Sequence, residues 1–211
     1  MNENSLWLER WQNREIGFNQ EEPNLFMVQH FKALNLKKGS RVLVPLCGKS
    51  IDISWLLAEG YDVVGVELSQ TAVSELFEEL KSVASISTVG ELTLYSTQNL
   101  NIFVGDIFKV TASIVGKIDA IYDRAALVAL PTALRVEYAQ HLCIITNKAP
   151  QILLCFEYDQ SLMDRSPYSV DEEEVKKHYG EHYALEILSK EEIVGGFKGK
   201  LPACDVIWLL G

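Results

Sequence analysis

RVLVPLCGKSIDISWLLAEGYDVVGVELS, residues 41–69, reads as strand, turn, helix, strand and acidic residue. RVLVP (41–45) is a short valine-rich run of the kind buried on both faces of a parallel sheet. Leu46-Cys47-Gly48-Lys49-Ser50 then turns the chain, and Gly48 accepts a positive φ and lets a ligand approach the backbone. Ser50 is placed as N-cap of a helix over 51–59, where Ile51, Trp55 and Ala58 recur at helical spacing, and Gly60 as its terminating glycine. DVVGVE (62–67) is a second buried strand. It ends on a carboxylate about 20 residues after the turn, where acids bind ribose hydroxyls in dinucleotide and adenosyl sites.

The turn is not G-x-G-x-x-G. One glycine stands for three, and Pro45 has no amide to donate. A pyrophosphate needs several converging amides, so a dinucleotide fits poorly, whereas S-adenosylmethionine has no phosphate and tolerates a sparser turn. A strand-helix-strand unit with a terminal Glu also occurs in folds that bind nothing there, so this segment alone leaves the ligand open.

The 211 residues suffice for one well-buried domain, and 48% of them are hydrophobic. The net charge of −10 and pI of about 4.9 argue against nucleic acid or an anionic membrane as partner. No apolar run reaches transmembrane length, and the N-terminus lacks the core of a secretion signal. Cys47, Cys143, Cys155 and Cys204 are scattered, without a C-x-x-C pair. A disulfide framework is not expected, and a cytoplasmic, monomeric protein is.

No repeat or linker interrupts the chain, so residues 1–211 are expected to form one domain. Helices are expected over 5–13, 24–35 (with Pro23 as first-turn proline), 70–84, 131–146 and 171–178. Strands are expected over 91–95 and 101–104, paired as a hairpin, and over 117–122 and 151–158. Two more, 183–188 and 205–210, close the sheet as an antiparallel pair. The alternation argues for a layered α/β fold. Several strands end in polar or special residues: Pro45 to Gly48, Glu67, Asp106, Asp123-Arg124 and Asp159. In a parallel sheet these ends share one edge, where ligands bind.

W-L-E-R-W…G-F (7–18), V-L-V-P-L-C-G-K-S (42–50), V-V-G-V-E-L-S (63–69), Y-D-R-A-A-L-V-A-L (122–130), Y-D-Q (158–160) and S-P-Y-S-V (166–170) together resemble the thiopurine S-methyltransferase family, particularly its bacterial members. The combination of P-L-C-G-K-S with D-R-A-A-L is specific, and the resemblance covers nearly the whole chain. It implies a class I methyltransferase: a Rossmann-like three-layer sandwich with a seven-stranded, mostly parallel sheet. An N-terminal helical cap (1–35) would cover a core (36–211). The implied cofactor is S-adenosyl-L-methionine, leaving S-adenosyl-L-homocysteine, and the implied partner is a small-molecule thiol.

The resemblance also implies roles. Trp11 matches a tryptophan that covers the cofactor, where its ring would attract the sulfonium and exclude water. Without the resemblance, Trp11 reads as the anchor of an amphipathic helix. Phe18 matches an aromatic at the substrate mouth; Asn19 stands where the family usually has histidine. Leu46 and Gly48 match the turn that holds the amino-acid end of the cofactor. Glu67 matches the ribose acid, with Leu68 against the adenine. Asp106 and Ile107 match the adenine position, although a lone G-D pair more often marks a turn or cap. Arg124 matches an arginine that either pairs with the methionine carboxylate or sits over the acceptor. Asp159 begins the far rim on the substrate side. There the chain has Arg165-Ser166-Pro167 in place of G-P-P, and its final loop offers Lys198 and Lys200 instead of an arginine.

No metal site is expected: His178 and His182 lack a third ligand nearby, and G-x-S-x-G is absent. The expected reaction is in-line methyl transfer to an aromatic or heterocyclic thiol, resting on alignment and water exclusion, with no assigned catalytic residue. Selenium or tellurium species, an amine or a hydroxyl are alternative acceptors. For the amine or hydroxyl, Asp123 or Asp159 is a candidate base. A non-catalytic adenosyl-binding module is the alternative outside enzymes.

Overall fold

The computed structural model describes residues 3–211. Met1 and Asn2, within the expected cap, lie outside the described residues. β1 (Arg41–Pro45) and β2 (Asp62–Glu67) run parallel, with Arg41 opposite Asp62 and Pro45 opposite Val66. α3 (Ile51–Ala58) crosses between them, its first turn capped by Ser50 Oγ, which accepts from the Asp52 amide. Gly60, at φ +88°, follows the helix end as the glycine reading expects.

The remaining strands are β3 (Ser85–Val89), β4 (Leu92–Ser96), β5 (Leu100–Val104), β6 (Ala120–Arg124), β7 (Gln151–Tyr158), β8 (Leu185–Glu192) and β9 (Ala203–Leu210). They join one sheet in the order β3-β4-β5-β2-β1-β6-β7-β9-β8. β5, β2, β1, β6 and β7 are mutually parallel; β9 returns antiparallel between β7 and β8. The sheet has nine strands rather than the expected seven because a hairpin, β3 and β4, extends the edge beyond β5. Without it, the seven that the resemblance implies remain; β4 itself is the strand expected over 91–95, paired with β5 as expected, and β3 is the addition.

That hairpin also corrects the helix expected over 70–84. α4 (Gln70–Glu79) ends before Lys81, which adopts φ +51°, and the β-branched run Ile86, Thr88, Val89 pairs as strand. α2 (Leu25–His30) gives way to a 3-10 turn over Phe31–Leu34. Its cap is Asn24, whose side chain accepts from the amides of Phe26 and Met27. Pro23 therefore precedes the cap and is not in the first turn. β6 starts at Ala120, not 117, because Asp119 is held from the side: its carboxylate accepts from the Arg41 amide at 2.9 Å.

Both sheet faces are covered. Met27 and Phe31, Ile53 and Leu56 of α3, and Val73, Leu76 and Phe77 of α4 pack with Val42 on one side. Val115 of α5 (Ala112–Val115), Tyr138 and Leu142 of α6 (Thr132–Ile145), and Val175 and Tyr179 of α7 (Glu172–Tyr179) pack with Leu43 on the other. Alternate residues of one strand thus feed two cores, which explains why these strands read as continuous apolar runs. α1 (Glu3–Gln12) precedes this framework. No helix among the described residues is long and apolar enough to cross a membrane.

Candidate functional site

The parallel strands end along one edge, and a cavity of about 870 Å3 opens there, within the range of roughly 300–1,000 Å3 usual for small-molecule sites. Trp11, Phe18, Leu46, Gly48, Glu67, Leu68, Asp106, Ile107 and Arg124 all line it.

Glu67 terminates β2 and is buried. Its Oε2 accepts from the Gly48 amide at 2.8 Å and its Oε1 from the Ser69 amide at 2.7 Å. Burial raises the carboxyl above its ordinary value, while these amides oppose the shift. Each oxygen keeps a lone pair for a further donor, so the carboxylate is aimed, ionisable and able to receive a vicinal diol. Close approach of the turn to β2 depends on Gly65: a Cβ there would lie 2.4 Å from Ile102 Cδ1 and 2.9 Å from Cys47 Sγ. Burial pushes the Cys47 thiol well up, which leaves it a small apolar packing residue.

Leu46 adopts φ +46° and Ala125 φ +60°. Non-glycine residues in this region are strained and concentrate at functional sites. Here they follow β1 and β6 and turn the backbone at the cavity floor. Gly48, at φ +54°, lies beneath Trp11; a Cβ would sit 3.1 Å from its Cζ2. Phe18 packs edge-on against both Trp7 and Trp11, with centroids 5.8 and 5.7 Å apart. α1 is moored at two points across the cavity: Asn4 Nδ2 donates to Asp106 Oδ2 at 3.0 Å, and Arg10 Nη1 to Ser166 Oγ at 2.7 Å.

Asp106 also caps a 3-10 turn, its Oδ1 accepting from the Phe108 amide. The cap that a lone G-D pair suggests is thus formed, on the cavity wall. Arg124 does not pair with Asp123 or Asp119. Its Nε donates to Asp52 Oδ2 at 2.7 Å and its Nη2 to Ser50 Oγ at 3.3 Å. Three of its five N–H groups remain for a ligand.

Asp159 is not among the cavity residues, a correction to the expected substrate rim. β7 ends at Tyr158, and the next carboxylate turns to solvent, where it accepts from the amide and hydroxyl of Ser161. Asp123 points to the opposite core and accepts from Tyr138 Oη and the Leu127 amide. Lys198 lines the cavity and Lys200 does not.

Residues that sequence reasoning missed include Asn4, Arg10, Asp52 and Asp205. Asp52 reads in sequence as a first-turn acid complementing the helix dipole, and nothing local signals its complete burial. Asp205 reads as the first residue of a strand. It stands opposite Phe156 in the β7–β9 ladder and lines the cavity. Burial, aided by Glu191 on β8, pushes its carboxyl up to about 6. Among the described residues no cluster of His, Cys, Asp and Glu capable of holding a metal is formed.

The thiopurine S-methyltransferase family model matches residues 2–202. A thiopurine S-methyltransferase of Xanthobacter autotrophicus is 48% identical over 209 residues, 99% of this chain and 98% of that protein. One from Teredinibacter turnerae is 49% identical over 206 residues, covering 98% and 96%. Among solved structures, a SAM-dependent methyltransferase from Anabaena variabilis superposes with a TM-score of 0.65 at 16% identity, over 100% of this chain and 96% of that one. The 1,6-didemethyltoxoflavin-N1-methyltransferase of Burkholderia thailandensis, solved with bound 1,6-didemethyltoxoflavin and S-adenosylhomocysteine, gives 0.67 at 13% identity, over 98% and 86%. At such identities these likenesses speak for the fold alone.

Proposed function

The chain belongs to the thiopurine S-methyltransferase family, and on that premise we propose how its residues serve an S-adenosylmethionine-dependent methyl transfer to the sulfur of an aromatic or heterocyclic thiol. The observation that carries the reading is Glu67, whose two oxygens are aimed by the Gly48 and Ser69 amides while a lone pair on each stays available.

S-adenosylmethionine supplies a methyl carbon on a sulfonium, activated without any protein base. Glu67 receives the ribose diol. Leu68 and Ile107 flank the adenine, and Asp106 accepts its amine. Leu46 and Gly48 face the amino-acid end, whose carboxylate meets the free N–H groups of Arg124. Trp11 closes over Gly48 and excludes water, and Phe18 forms the acceptor mouth. Residues 1–35 act as the cover of a single domain whose core is 36–211. Placement beside the sulfonium accelerates transfer because the two reactants are aligned in advance.

Calorimetry with S-adenosylhomocysteine, followed by methyl-transfer assays on an aryl thiol, an amine and a phenol, tests the proposal. Binding with turnover of the thiol alone supports it. Binding without turnover of any acceptor favours an adenosyl-binding module, and absence of binding defeats it. We carry a cytoplasmic monomer with this reading. All four cysteines are free, which suits a reducing compartment, and light scattering reads the mass.

A further inference from the structure

The cofactor-side carboxylates are already engaged. Glu67 holds two amides, Asp106 an amide and Asn4, and Asp52 the donors of Asn24, Tyr122 and Arg124. Asp205 differs: among the described residues no donor reaches its side chain. Resting on the methyltransferase reading above, we propose that Asp205 is the base that takes the S–H proton of the bound acceptor, so that the enzyme methylates thiols still protonated at neutral pH.

The sheet order places it. Glu67 ends β2, Arg124 ends β6, and Asp205 stands on β9, beyond β7. Four strand spacings of roughly 4.8 Å put β9 about 19 Å from β2. The nucleoside end over β2 and the carboxylate end over β6 leave the wall of β7 and β9 for the acceptor. That wall is aromatic: Phe156 packs against Phe197 at 5.0 Å, and both line the cavity with Asp205. A flat thiol seated there presents its sulfur to a carboxylate held in apolar surroundings. The neighbouring charges are Glu191 opposite on β8, the Lys190–Glu157 pair beside it, and Lys198, Arg165 and Arg10 along the cavity. Burial and Glu191 favour the protonated carboxyl, which brings the group close to working pH, where a base is most effective.

The S–H proton passes to a carboxylate oxygen of Asp205 as the acceptor sulfur bonds the methyl carbon. The electron pair of the donor's S–CH3 bond returns to the donor sulfur, which becomes a neutral thioether. Asp205 then releases its proton to water.

The test compares wild type, Asp205→Asn and Asp205→Glu, each first shown to bind S-adenosylhomocysteine. One acceptor is an electron-poor aryl thiol already ionised at pH 7; the other has a pKa of about 8.5. With the second, Asp205→Asn should lose about 100-fold in kcat/KM. It should also lose the limb that rises through pH 6, and Asp205→Glu should restore part of both. With the ionised thiol the variants should match wild type within about threefold. Equal losses for both thiols, or none for either, would overturn the assignment. Failure of wild type to bind the product overturns the methyltransferase reading as well. A readout independent of folding is carbon-13 NMR of aspartate-labelled wild type. Asp123 and Asp205 both titrate near 6, and only Asp205 is on the cavity wall. One signal must shift when the protonated thiol joins the product complex, and an unmoved pair of signals overturns the assignment.

Discussion

Arg124 Nε donates to Asp52 Oδ2 at 2.7 Å, from a strand end to a helix start 72 positions earlier in the chain. The same carboxylate accepts from Tyr122 Oη and, through Oδ1, from the amide of Asn24, the cap of α2. A buried charge that serves three donors is costly to remove. Asp52→Ala should destabilise the protein by about 3–5 kcal/mol in denaturant melts. Asp52→Asn keeps one acceptor oxygen but turns an N–H towards donors, so it should fold with a smaller loss and let Arg124 wander. Affinity for S-adenosylhomocysteine should then fall about tenfold, or about 1.4 kcal/mol. A folded Asp52→Asn protein with undiminished affinity would mean that the arginine needs no such anchor.

Glu67→Gln retains one oxygen but places an amide N–H against that of Gly48 or Ser69. Product affinity should weaken by about 1–3 kcal/mol, and calorimetry that returns the wild-type dissociation constant would remove the ribose assignment. The wild-type pH dependence adds a second check. Burial raises the Glu67 carboxyl, so the ionised acceptor disappears on acidification earlier than for an ordinary glutamate at about 4.3. Affinity should decline from a correspondingly higher pH.

Gly48 and Trp11 should behave as one unit. Alanine at position 48 meets φ +54° and a contact of 3.1 Å to the indole. The left-handed backbone costs roughly 1–2 kcal/mol with any Cβ, and the indole must also move. Trp11→Ala removes the second cost but not the first. Measured melts of Gly48→Ala, Trp11→Ala and the double variant should therefore show a coupling of at least about 0.5 kcal/mol, with the double variant less damaged than the sum. Strict additivity would place the indole away from the turn.

Legibility followed the range of the interactions. β1, the turn, α3 and β2 were readable because the caps, glycines and apolar runs that define them are local. Ser50 caps where a serine before an apolar helix should. Of the edge hairpin, β4 was readable over 91–95, whereas β3 lay behind a helical pattern that Lys81 interrupts without a glycine or proline to announce it. At the site, the motifs of the resemblance led to residues on the cavity wall, with Asp159 of Y-D-Q the exception. Asp159 failed because a strand-end acid can face solvent as readily as ligand. Asp52 and Asp205 were invisible for the opposite reason: each acquires its environment from elements distant in sequence, and a carboxylate's spacing says nothing about its burial.

Asp123 offers a prediction outside the cavity. Its carboxylate is fully buried beneath Tyr138 Oη at 2.7 Å and the Leu127 amide at 3.1 Å. Burial raises its pKa to about 6 despite both donors. An unfolded aspartate titrates at about 3.9, so between about pH 4 and pH 6 the folded state holds the extra proton. Asp123 therefore contributes stability that is present below pH 4 and is lost as pH rises through 6, by at most about 3 kcal/mol. Asp123→Asn lacks this titration while offering an oxygen to the Leu127 amide and an N–H to Tyr138. Denaturant melts at pH 4.5 and pH 7 should show wild type losing more stability across the interval than Asp123→Asn. The Asp205 titration is common to both proteins and cancels in the comparison. Equal losses would show that the Asp123 carboxyl is already ionised at pH 4.5, held so by Tyr138 and the Leu127 amide against its burial.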